Sequence, residues 1–122
     1  YGYDKIIVYG GLGGRIDHEI VNIRLCEQFA NKITFVDENN KLTAYSTGTY
    51  EFKKEYQYIS VFACSKSEIS WENTKYLLDH QILNTNDLFG LSNEIELEPA
   101  ILTVHSGKVL VVESNDKKRF PN

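Results

Sequence analysis

Helical periodicity is confined to one stretch of this chain. From Arg15 onward, Ile16, Ile20, Ile23 and then Cys26 or Ala30 recur at the spacing of one helix face. Asp17 and Glu19 fall in the first turn, where negative side chains suit the helix dipole. Asn31 marks the expected end. After it, short runs alternate between apolar and polar residues and are cut by turn clusters. A chain with one early helix and many short strands is confined to a mostly β architecture.

The strands read as follows. Lys5 to Tyr9 is short, β-branched and closed by glycine, as a buried strand would be. Ile33 to Val36 is a second, and Asp37-Glu38-Asn39-Asn40 a turn. Leu42 to Tyr45 begins the return. Tyr56 to Cys64 alternates, and Glu94, Glu96 and Glu98 alternate with Ile95 and Leu97. Ala100 to His105 and Lys108 to Glu113 are expected to pair as a hairpin across Ser106-Gly107. The expected division is a β-α piece at residues 1–30, an antiparallel β-sandwich at 31–115, and a loose tail at 116–122.

Composition narrows the function. A net charge of -4 argues against a nucleic-acid footprint, which needs a basic face. No apolar run is long enough to span a bilayer as a helix. Cys26 and Cys64 fit no metal spacing and read as buried free thiols, which suits a reducing cytoplasm. The sequence has no methionine and opens on Tyr1-Gly2-Tyr3-Asp4 just before a strand, so it reads as a piece of a longer protein.

The segment between the first strand and the helix carries the chemistry. It reads Gly10-Gly11-Leu12-Gly13-Gly14-Arg15-Ile16-Asp17-His18. A strand, a glycine turn and a helix N-terminus form an anion site, because the first helical N–H groups have no partner within the helix. Glycines let a phosphate approach that backbone. Arg15 can grip phosphate oxygens in a fork, and Asp17 can offer magnesium a hard oxygen ligand. The spacing matches neither the P-loop nor the dinucleotide fingerprint. The plain alternative is a tight turn with Arg15 and Asp17 solvated.

The longer string "GGLGGRIDHEIVNI" resembles the Gly-Gly-x-Gly-Gly-Arg-x-Asp-His segment of thiamin pyrophosphokinases. Three later strings follow that family in order: "TKYLLDHQIL" from Thr74, "FGLSNEI" from Phe89 and "GKVLVVES" from Gly107. The resemblance runs from Asp4 to Ser114. One departure lies at Trp71-Glu72-Asn73-Thr74, where the family often has Ser/Thr-x-Gly-Leu. Asn73 tolerates the left-handed backbone that the missing glycine would take.

The resemblance implies an enzyme that joins ATP and thiamin to give AMP and thiamin diphosphate. It implies an N-terminal α/β domain that binds ATP and Mg2+, a C-terminal β-sandwich that helps bind thiamin, and homodimers with sites between subunits. This chain then holds the last β-α unit of the first domain and all of the second. It would lack the upstream aspartates and be inactive alone. Asp17 and Arg15 become the expected catalytic residues, with Asp17 also the metal ligand. Gly11, Gly13, Gly14 and Arg15 become the ATP-binding set. Tyr76 is expected to stack on thiamin, and Ser92 and Asn93 to hydrogen-bond its aminopyrimidine. Trp71 is a second aromatic candidate. Core packing is the alternative for both rings, and loop capping for Ser92 and Asn93. The competing functional reading is a non-catalytic β-sandwich module that binds a small aromatic ligand or a protein partner.

Overall fold

The computed structural model describes residues 5–10 and 15–116. The chain opens with β1 (Ile6–Tyr9) and α1 (Ile16–Gln28). Eight more strands follow: β2 (Ile33–Val36), β3 (Asn40–Tyr45), β4 (Gly48–Phe52), β5 (Tyr58–Ala63), β6 (Ser67–Glu72), β7 (Leu78–Leu83), β8 (Ala100–Ser106) and β9 (Val109–Ser114). They form a sheet ordered β1-β2-β3-β9-β5 and a second ordered β4-β8-β6-β7. The architecture of the described residues is mostly β, with one helix, between β1 and β2, and two packed sheets.

Both faces of the central strand β9 are covered. Val61, Val109 and Val111 point toward the second sheet and pack with Ile69, Trp71, Leu102 and Val104. Leu110 points the other way, toward Cys26 of α1, with Phe35, Leu42 and Ala44 around it. A strand sandwiched between a helix and a sheet needs apolar residues at every position. That is why residues 109–112 read Val-Leu-Val-Val without alternation. Strand β1 joins this sheet parallel to β2, and its other edge carries no strand among the described residues.

The expected pairing of Ala100–His105 with Lys108–Glu113 is not found. Strand β8 pairs with β4 and β6, whereas β9 pairs with β3 and β5. Residue Gly107 turns the chain from one sheet into the other at φ 86. A Cβ there would collide with Ser67 Oγ and stand 2.5 Å from the Lys66 carbonyl oxygen. The corner therefore demands glycine, which a hairpin turn also prefers, and sequence alone does not separate the two.

The alternating run Glu94 to Glu98 forms no strand. Ile95 makes one isolated bridge to Thr74. The amides of Glu96 and Leu97 both donate to the Asn73 carbonyl, at 2.9 and 3.2 Å. Asn73 stands at φ 67, the left-handed conformation the sequence allows, and its side chain donates to Pro99 O at 2.8 Å. The segment wraps this turn instead of joining a ladder. The helix ends slightly before its expected stop, at Gln28, and Asn31 follows at φ 69 with its side chain bonded to Ser46 and Tyr50.

Candidate functional site

At the top of β1, Arg15 caps α1 with an extended backbone and no side-chain cap bond. Its guanidinium instead donates to Asp17 Oδ2 at 2.5 Å, and both side chains are exposed. The other carboxylate oxygen of Asp17 accepts the His18 amide at 2.9 Å. The pair thus sits at the positive end of the helix dipole, open to an incoming anion. Gly11, Gly13 and Gly14 lie outside the described residues. His18 is exposed.

Tyr76, Ser92 and Asn93 lie together at the far edge of the same sheet. Asn93 is only 4% exposed, and its backbone pairs both ways with Ile59 of β5. Its side-chain oxygen accepts the amides of Tyr76 and Glu94, each at 2.9 Å, and its side-chain nitrogen donates to Tyr76 O at 2.9 Å. Both lone pairs of that oxygen are taken, so Asn93 is a clamp on the Tyr76 backbone. The Tyr76 ring it presents is 58% exposed. The Lys75 ammonium lies 5.5 Å from the ring centroid, which leaves one face for a ligand. Ser92 stands at φ 57, its amide donating to Ser60 Oγ at 2.8 Å and its side chain exposed.

Close approach makes this edge possible. The Gly90 carbonyl accepts Val61 N at 3.0 Å. A Cβ on Gly90 would stand 2.5 Å from Val61 O. Only glycine lets residues 90–93 lie along β5 and close its edge.

Strand register fixes how far β1 stands from the Asn93 clamp. One row of paired residues crosses the sheet: Tyr9 with Val36, Val36 with Lys41, Lys41 with Glu113, Glu113 with Ile59, and Ile59 with Asn93. Tyr9, at the end of β1, and the Asn93 clamp thus stand in one row at opposite edges of the sheet. The row makes five steps of about 4.8 Å, or roughly 24 Å along the sheet. The structure brings Tyr76, Ser92 and Asn93 together and does not bring them to Arg15 and Asp17.

Thiolate chemistry at the two cysteines is disfavoured. Burial pushes the Cys26 thiol up to about 11 and the Cys64 thiol up to about 12, so neither is a thiolate at neutral pH. Both cysteines are free. Among the described residues no group of three or more metal-binding side chains gathers. Asp17 offers a single carboxylate, which fits magnesium only as one ligand of a larger set that includes substrate phosphates. Trp71 is 1% exposed and packs edge-on to Phe52, with ring centroids 5.7 Å apart, as a core residue.

A polar cluster on the second sheet was not visible in the sequence. The rings of His80 and His105 stack 4.0 Å apart at 16°. They are 25 residues apart in sequence, and no local motif joins them. Only the β6–β8 and β6–β7 registers bring them together.

No protein-family model matches the chain. Thiamine pyrophosphokinase from Bacillus subtilis is 27% identical over 120 residues, which cover 93% of this chain and 56% of that protein. The crystal structure of the Bacillus subtilis enzyme superposes with a TM-score of 0.86 at 26% identity, over 95% of this chain and 57% of that one. Thiamin pyrophosphokinase from Geobacillus thermodenitrificans gives 0.85 at 27% identity, over 96% and 57%. The chain thus spans a little over half the length of these relatives. In sequence and in fold, it is similar to the C-terminal part of thiamine pyrophosphokinases, the family its relatives consistently represent.

Proposed function

We propose that this chain is the thiamin-binding part of a thiamine pyrophosphokinase, which transfers the diphosphate of ATP to the thiamin hydroxyl and releases AMP. The observation that carries this reading is the exposed Tyr76 ring, on a backbone clamped by the buried Asn93 amide. A flat, cationic substrate suits such a ring through stacking and cation–π attraction. Asn93 acts here as a positioning residue, and Ser92 offers its hydroxyl beside it. Arg15 binds phosphate oxygens at the head of α1, where Gly11, Gly13 and Gly14 admit the phosphate chain. Asp17 would hold a magnesium ion, which would supply charge neutralisation on the transferring phosphates.

The sheet edges that carry β1 and the Asn93 clamp stand roughly 24 Å apart, so a site joining the head of α1 to Tyr76 within one chain would have to bridge much of that width. We therefore propose a homodimer in which Tyr76 of one copy faces Asp17 of the other. Ile6, Ile7 and Tyr9 of β1 and Ile16, Ile20 and Val21 of α1 are exposed. That apolar edge suits packing against the remainder of an ATP-binding α/β domain. Two free thiols suit a reducing, cytoplasmic setting.

A chimera tests the reading. This chain replaces the matching part of the Bacillus subtilis enzyme, and AMP release is followed with thiamin, ATP and magnesium. The chimera is expected to turn over, and Asp17→Asn to lower the rate by roughly tenfold or more. A folded chimera that neither binds thiamin nor forms AMP would contradict it and favour a non-catalytic binding module.

A further inference from the structure

The proposed function leaves unused a groove of about 580 Å3 on the second sheet. It lies over the face of β6 and β8 that points away from the core. Leu102 and Val104 face inward, so the alternating Thr103 and His105 face outward. Strand β7 and the residues just before it form its other wall. Tyr76, Ser92 and Asn93 are not among its lining.

The groove holds a fixed aromatic platform. His80 and His105 stack face to face, with centroids 4.0 Å apart. His105 Nε2 is bonded to Ser70 Oγ at 2.8 Å. The same hydroxyl accepts the His80 amide at 2.9 Å. It can give its own proton to His105 while doing so. His80 Nδ1 is bonded to Asp79 Oδ1 at 2.7 Å. Both imidazoles are therefore held before any ligand arrives, which lowers the entropy lost on binding.

The surroundings select the ligand's charge. Glu72 and Asp79 bring two carboxylates to the groove, and among the described residues neither lysine nor arginine lines it. Leu77 adds exposed apolar surface beside them. A flat platform with an acidic rim favours a flat cation and repels a flat anion. We propose that this groove is a binding site for a planar heteroaromatic cation, separate from the Tyr76 edge. The proposal stands on the groove alone and does not depend on the thiamin reading.

The test uses the 122-residue chain and two probes of similar shape and opposite charge. These are 1-methylquinolinium and quinoline-2-carboxylate, each titrated while the ring C–H resonances of His80 and His105 are followed by NMR. The cation should shift both resonances saturably, and the anion should not. Glu72→Gln, an exposed change that leaves the fold intact, should raise the dissociation constant roughly threefold. His105→Phe should retain binding, because a flat ring remains, and Tyr76→Ala should leave it unchanged. The proposal is overturned by any of three results: no saturable shift, equal binding of the anion, or binding that Tyr76→Ala abolishes and Glu72→Gln does not weaken.

Discussion

Glu113 sits on the inward face of β9, in line with Val109 and Val111, and is only 6% exposed. Burial pushes its carboxyl up from 4.5 to about 6, while Lys41 across the sheet pulls it partly back. The folded protein therefore holds this proton more tightly than the unfolded chain. The stability tied to that proton is fully present below about pH 4.5 and is lost as pH rises through about 6. The shift corresponds to about 2 kcal/mol. Glu113→Gln should raise the melting temperature at pH 7.5 by the equivalent of about 1 kcal/mol, since Lys41 loses its partner, and the gain should vanish at pH 4.5. Denaturation of both proteins at the two pH values checks this, and a variant less stable at both would contradict it. Tyr76 makes the opposite case, a residue placed for binding. In the chimera, Tyr76→Ala should raise the thiamin dissociation constant roughly five- to thirtyfold and leave ATP affinity and melting temperature unchanged. Tyr76→Phe should cost much less. A Tyr76→Ala protein that melts earlier and binds both substrates poorly would mark the ring as packing.

The element that most depends on a single residue is the corner between β8 and β9. Gly107 combines φ 86 with the close approach of Ser67 and Lys66. Gly107→Ala should destabilise the fold by about 2 kcal/mol or more, because backbone strain and steric displacement add. Urea denaturation checks it, and a loss below about 0.5 kcal/mol would show that the corner relaxes freely. The same corner shows where sequence reading stops. A serine-glycine pair between two apolar runs signals a reversal, and nothing local says whether the runs stay in one sheet. Three strands carry weak local signals for physical reasons. Residues 48–52 form an edge strand that keeps Thr49 and Glu51 polar. Residues 67–72 bury Ser67 and Ser70, whose hydroxyls are satisfied within the fold. Residues 78–83 contain His80 at φ 51, opposite a register shift in β6. The β1-α1 unit and the β2, β3, β5 and β9 segments were legible because their apolar patterns are dense. The residues of the proposed site stand in separate strings of the sequence; the clamp geometry and the histidine stack depend on long-range pairing.

At the scale of the whole molecule, one register row from Tyr9 to Asn93 sets β1 and the Asn93 clamp at opposite edges of one sheet. Sequence order alone does not give that distance, because it depends on which strands lie between. The central claim is that Asp17 and Tyr76 meet across two copies. Two chimeras, one carrying Asp17→Asn and the other Tyr76→Ala, can be denatured, mixed in equal amounts and refolded together. Half of the dimers should then be mixed, and each mixed dimer should contain one site with both residues intact. Thiamin diphosphate formation at limiting thiamin should recover to roughly a quarter of the unmutated chimera's rate, well above either variant refolded alone. A co-refolded sample no more active than the average of the two variants would contradict the shared site.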